Sequence, residues 1–191
     1  QIRLVGSEMC IRDSIKGAKR GDALEVELLD IVPDEYGYTV IVPGFGFLRD
    51  IFTEPFIVNW KLTRTGAVSD NMPGVTIPYE AFPGSIGVLP GKKEISSWKE
   101  REANLAAAGG VALTPDPAFA LPADVCGENG KHKDDCLRTI PPRENGGNMD
   151  VQQMQVGTKI IFPCFIDGCG LFAGDAVSYT HLRAHETDLN L

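Results

Sequence analysis

The 191-residue sequence has no apolar run of the roughly 18 to 20 residues that a membrane-spanning helix needs, and no charged, apolar, small-residue succession marking a secretory leader. It has no basic cluster either. Its 18 Lys and Arg residues are scattered among 26 acidic ones, for a formal net charge of −8. That balance argues against nucleic acid or an anionic membrane as a partner, since both need concentrated positive charge. The expectation is a soluble, cytoplasmic protein.

A phosphate-binding loop is also missing. PGFGF, residues 43–47, has two glycines at the wrong spacing and no following Lys-Ser/Thr, so Phe45 and Phe47 read as core or pocket wall. Five cysteines, Cys10, Cys126, Cys136, Cys164 and Cys169, are an odd number without CxxC spacing, which indicates neither a disulfide framework nor a zinc knuckle. Pairing is open to Cys126 and Cys136, which flank the polar GENGKHKDD, but reduced thiols are expected. Cys164 and Cys169, in FPCFIDGCGLF, read as small buried hydrophobes.

What the chain does have is 43% hydrophobic residues, enough for a sizeable core, with 21 glycines and 13 prolines spread along its length. Frequent Gly and Pro favour turns and short strands over long helices. In ALEVELLDI, Leu24, Val26 and Leu28 alternate with Glu25 and Glu27, the period of a strand with one wet face. YTVIVP, PFIVNWKL, GVTIP, GSIGVLP, TKIIFPCF and GLFAGDA are further short runs bounded by Gly or Pro. One helix is expected over 97–108, with Ser97 and Glu100 as a capping box and Gly109–Gly110 as its stop. Residues 111–137 read as a long surface excursion. The fold class is therefore mainly β, a sandwich or barrel of short strands with one inserted helix and a long loop.

The ends differ from the middle. VGSEMCIRDS, residues 5–14, and VSYTHLRAHET, residues 177–187, resemble translated sequencing-adaptor read-through. Residues 1–14 and 177–191 are accordingly expected to be artefact tails around one domain at 15–176. The zinc-like spacing of His181, His185 and Glu186 is discounted with them, and His132 reads as a solvated loop residue.

RENGGNMD, residues 143–150, packs two acids, two further amides and two glycines into eight positions. Asp150 and Gln153 fit an N-cap with its capping-box partner, and Gly146–Gly147 supplies the freedom of a tight turn.

GAKRGDALEVELLDI, PGFGFLRD, the Trp60 of FIVNW, PGVTIP, GSIGV, RTIPPRENGGNMD, GTKIIFPCFIDG and LFAGDA resemble, in order, successive blocks of the acetamidase/formamidase family in its longer formamidase-like form. The resemblance covers nearly all of 15–176. It implies hydrolysis of formamide or a short aliphatic amide to carboxylate and ammonia, by a homo-oligomeric intact protein. In that family a His and a QGDGE-like segment follow the GDA block, whereas Val177 stands there in this chain. An internal fragment with little activity of its own is expected.

Amide hydrolysis needs an activated water, donors for the developing oxyanion and a proton for the departing nitrogen. The candidates are Asp150 as general base or metal ligand, Asn148 and the N–H groups around Gly146 and Gly147 as carbonyl-binding donors, and Glu144 as a second carboxylate. Asp175 in LFAGDA is a further candidate ligand. The cofactor stays open, a divalent metal ion on Asp150 and Asp175 being one option. A carboxylate at a helix N-terminus is held ionised, which favours ligand over base for Asp150. Two other readings are a cysteine-nucleophile amidase using Cys164 or Cys169, and a non-catalytic β-sandwich binding module in which 143–150 is only a loop.

Overall fold

Glycine and proline do break this chain into short strands. The computed structural model describes residues 3–4, 11–44, 46, 48–109, 123–137, 141–178, 182–184 and 187–190. Its elements run β1 (Arg3–Leu4), β2 (Ile11–Asp13), β3 (Ala23–Glu27), β4 (Asp30–Pro33), β5 (Tyr36–Ile41), β6 (Phe56–Thr63), β7 (Gly66–Val68), β8 (Thr76–Pro78) and β9 (Ala81–Val88). There follow α1 (Lys92–Ala107), α2 (Ala123–Cys126), β10 (Gly146–Asn148), β11 (Lys159–Pro163), β12 (Leu171–Ser178), β13 (Leu182–Ala184) and β14 (Thr187–Asn190). The fold is mainly β with one main helix, as expected. Among the described residues no helix is long and apolar enough to cross a membrane.

The strands pair antiparallel in three sheets. The largest runs β10-β9-β12-β13-β5-β6-β7-β8, with β2 also on β12; β1-β14-β4 and β11-β3 form the others. Alternation sets the faces: in β6, Val58, Trp60 and Leu62 are buried while Asn59, Lys61 and Thr63 face out. Val26 of β3 is likewise buried and pairs with Ile160 of β11. β9 is different, because all eight of its residues are buried between β10 and β12. A strand flanked on both edges and covered on both faces reads as a continuous apolar run rather than an alternating one.

Helix α1 begins five residues before the expected start. Its N-cap is Gly91, with no side-chain cap, so Ser97 and Glu100 lie inside the helix rather than forming a capping box. The physical reason is the buried stripe: Ile95 and Trp98, three residues apart, face the protein, and Trp98 packs edge-on against Phe165 at 5.5 Å. Presenting Ile95 requires a helical turn ahead of it. The C-terminal stop holds, with Gly109 in the left-handed region at φ 82°.

The thiol expectation fails at four cysteines. Cys126 is bonded to Cys136 and Cys164 to Cys169. Neither pair shows a spacing signal because the fold creates the proximity: the turn after β11 brings the Cα atoms of Cys164 and Cys169 to 4.6 Å, with Gly168 and Cys169 both at positive φ. Both are nonetheless buried, as expected. Cys10, Phe45, Phe47, His181, His185 and Glu186 lie outside the described residues.

Strand pairing crosses residue 176. β12 runs to Ser178, and Val177 is buried opposite Phe82 of β9. β13 bridges β12 and β5, and β14 lies between β1 and β4.

Candidate functional site

Residues 143–150 form a hairpin turn and a short edge strand. The N–H of Arg143 donates to the Gly146 carbonyl, and that of Gly146 to the Arg143 carbonyl, each at 2.9 Å, which closes the turn on Glu144 and Asn145. β10 then pairs with β9 in the register Gly146↔Gly87, Gly147↔Ile86 and Asn148↔Ser85. This approach is unusually close. A Cβ on Gly146, whose φ is 90°, would sit 2.2 Å from the Ile86 carbonyl oxygen, and one on Gly87 would sit 2.2 Å from that of Asn145. Asn145 is buried and grips β9 twice: its Nδ2 donates to the Val88 carbonyl at 2.7 Å, and its own carbonyl accepts from the Val88 N–H at 2.8 Å.

Beyond β10 the chain curls around one carbonyl. The N–H groups of Met149 and Asp150 both donate to Gly84 O, at 2.8 and 3.1 Å, leaving Asp150 in the left-handed region at φ 47°. Aspartate tolerates that conformation better than most side chains, and such outliers concentrate at functional sites. The capping box expected from Asp150 and Gln153 is not formed, because no helix follows. Turns lead to Met154, which is buried in the core, and the Gly157 N–H is held by the Leu28 carbonyl at 2.7 Å. The helix-dipole reason for reading Asp150 as a ligand rather than a base is thereby removed.

Two of the expected site residues come together. Asn148 Nδ2 donates to Asp150 Oδ2 at 2.7 Å, with Asp150 exposed and Asn148 half-buried. Glu144 is engaged elsewhere: Arg101 of α1 holds it by two bonds, 2.5 Å to Oε1 and 2.9 Å to Oε2. The expected exposed N–H groups at Gly146 and Gly147 are not found. Both glycines are buried, and the Gly146 N–H is bound by Arg143. Asp175 lies on β12 between the Gly174↔Ser85 and Ala176↔Pro83 pairs, alongside Gly84. β9 thus separates it from β10, about two strand spacings or ~10 Å across the sheet, and its side chain is outside the described set.

Sequence reasoning missed the supports of this hairpin. Arg143, whose side chain is 3% exposed, meets Glu102 of α1 through Nε to Oε1 at 2.5 Å and Nη2 to Oε2 at 2.8 Å. Adjacent residues of α1, Arg101 and Glu102, therefore clasp adjacent residues of the turn with opposite polarity. Ser85 was also missed, although a lone hydroxyl inside the apolar run of β9 is a visible signal. Its Oγ lies 3.4 Å from Asn148 Oδ1.

Among the described residues no three His, Cys, Asp or Glu side chains gather as a metal site. Asp150 and Asn148 offer two oxygen-bearing side chains, too few to close a coordination shell for a hard divalent cation by themselves. The Cys164–Cys169 bond leaves neither sulfur as a thiol for nucleophilic attack.

The Arg101 guanidinium holds the Glu144 carboxyl down at about 2, from an ordinary value of 4.5. A depressed carboxyl contributes stability that is present above the unfolded pKa and lost as pH falls through the folded one. Stability should therefore decline between pH 4.5 and about 2, and Glu144→Gln should flatten that part of the profile. Each partner is about half exposed, so the contribution is small and should shrink in high salt. Thermal midpoints measured against pH in both forms check this; parallel profiles would contradict it.

Fold and site together define a mainly β protein that displays a carboxamide–carboxylate pair at the end of an edge strand. A profile of the acetamidase/formamidase family matches residues 13–179, and the chain belongs to that family. It is 34% identical over 185 residues to an acetamidase of Mycolicibacterium smegmatis, covering 84% of this chain and 44% of the relative. A formamidase of Methylophilus methylotrophus is 30% identical over 178 residues, covering 84% of this chain and 42% of its own. Among solved structures, a gamma lactamase from Delftia acidovorans superposes with a TM-score of 0.77 at 32% identity, over 92% of this chain and 48% of the other. An acetamidase from Bacillus halodurans superposes with a TM-score of 0.62 at 21% identity, over 92% and 48%, and shows the fold. The chain spans less than half the length of these relatives.

Proposed function

We propose that the intact protein hydrolyses the C–N bond of small amides, with Asp150 and Asn148 at the reacting centre. The observation that carries this is the 2.7 Å Asn148–Asp150 hydrogen bond, on a strained, exposed residue within the family match. Asp150 accepts a proton from water as its oxygen adds to the carbonyl carbon. A primary amide has two N–H donors; Asn148 uses one to orient Asp150 and offers the other to the carbonyl oxygen as it becomes anionic. The C–N bond then breaks, the proton passes to the departing nitrogen, and carboxylate and amine are released.

Glu144, Arg143 and their α1 partners hold the hairpin, and the glycines act by letting β10 close on β9. The names of the relatives support a substrate range of formamide, acetamide and a γ-lactam. Asp150 is exposed in this chain, and preorganised charge is worth most where water is excluded. This chain alone is accordingly assigned little activity.

The test is ammonia release from formamide and acetamide, and ring opening of γ-butyrolactam, by a full-length protein containing this segment and by the 191-residue chain. Turnover of at least one amide by the full-length protein, and a large drop in the chain alone, is expected. No turnover of any of the three amides would leave the binding-module reading in its place.

A further inference from the structure

Ser85 is the one polar side chain of β9 that meets the candidate site. It is buried, at 8% exposure, with Asn148 opposite it on β10 and Gly174 opposite it on β12. Its Oγ lies 3.4 Å from Asn148 Oδ1, while Asn148 Nδ2 lies 2.7 Å from Asp150 Oδ2. The chemistry fixes the direction of this chain. An ionised carboxylate only accepts, so the NH2 end of Asn148 must face Asp150. The oxygen end then faces Ser85, whose hydroxyl must donate. The result is a polarised relay from Ser85 O–H, through the carboxamide, to the carboxylate, and hydrogen bonds in such chains reinforce one another.

We infer that Ser85 is a positioning residue that locks the Asn148 carboxamide in the orientation the reaction needs, an inference that rests on the assignment of Asn148 and Asp150 to the reacting centre. A terminal amide turns about a soft torsion and has nearly the same shape either way round. The Asp150 bond alone favours one orientation, and that preference weakens when the carboxylate takes up a proton during the reaction, because a protonated carboxyl can donate. Ser85 keeps the orientation throughout, since its bond to the Asn148 oxygen does not depend on the charge of Asp150. Its neighbours allow this geometry: Gly84 supplies the carbonyl that holds Met149 and Asp150, and Gly174 puts no side chain across from it.

The test is a double-mutant cycle in the full-length protein, with kcat and KM read separately. Ser85→Ala should lower kcat about 10- to 100-fold, the scale of losing one orienting contact at a reacting centre, with KM little changed and the thermal midpoint within a few degrees of the parent. In an Asn148→Ala background the same change should cost almost nothing, because there is no carboxamide left to orient. Ser85→Thr, which keeps the hydroxyl, should recover more activity than Ser85→Ala. Additive effects of Ser85→Ala and Asn148→Ala, or Ser85→Thr no better than Ser85→Ala with both variants folded, would overturn the inference. If Ser85→Ala fails to fold, Ser85→Cys, close in shape but a weak donor, takes its place in the same cycle: a kcat loss that vanishes in the Asn148→Ala background is expected, and an additive one would overturn the inference. Additivity together with an inactive Asp150→Asn enzyme would reject the role of Ser85 alone, whereas an active Asp150→Asn enzyme would reject the site itself.

Discussion

Asp150→Asn in the full-length protein should reduce kcat for ammonia release by about 10² to 10⁴, the usual worth of a positioned general base, with the fold intact. The substitution removes charge and basicity while keeping the shape of the side chain. Asparagine is isosteric, tolerates the left-handed backbone seen at φ 47°, and its side-chain oxygen can still accept from Asn148 Nδ2. The N–H bonds to Gly84 O belong to the backbone and do not depend on the side chain. Thermal midpoint should therefore move by only a few degrees. Activity lost without stability is the signature of a reacting group; both lost together would mark Asp150 as a structural turn residue.

Gly146→Ala should have the opposite signature. The added Cβ meets backbone on the facing strand, Ile86 O at 2.2 Å and Gly87 Cα at 2.7 Å, and neither can rotate away as a flexible side chain would. Overpacking of this kind costs roughly 1–3 kcal/mol, and alanine at φ 90° adds about 1–2 kcal/mol of backbone strain. The sum is a large fraction of the ~5–15 kcal/mol by which domains are stable. Failure to fold, or a loss of more than about 2 kcal/mol in denaturant melts, is expected. A smaller loss would mean that β10 can retreat from β9 and that the close approach is not required. Gly87→Ala meets Asn145 O at 2.2 Å and should behave alike.

Where one face is wet and the other dry, the strands could be read from the chain. β3 and β6 show it, because alternation is a local consequence of the pleat. β9 was legible only in part. Its first residues, Ala81 to Pro83, pair with β12, a partner far away in sequence, so no local period marks them. The start of α1 was misplaced for a related reason: Ser97 and Glu100 satisfy a local capping rule, while Ile95 and Trp98 answer to the core.

The candidate site divides the same way. RENGGNMD stood out by composition, and Asn148 and Asp150 do meet. The partners of Glu144 and Arg143, on a helix some forty residues earlier, were invisible because ion pairing across such a separation leaves no spacing to count. The Cys126–Cys136 bond was weighed as open and set behind reduced thiols, while the Cys164–Cys169 bond was missed because an apolar setting resembles ordinary burial.

The central claim is that the Asn148–Asp150 pair runs amide hydrolysis. Its most direct test is kcat/KM for ammonia release from acetamide and formamide by the full-length protein, measured beside the Asp150→Asn variant at equal folded concentration. The account predicts measurable turnover by the parent and a ratio of at least about 100 between the two, equivalent to ~2.7 kcal/mol of transition-state stabilisation. A ratio near one would contradict it.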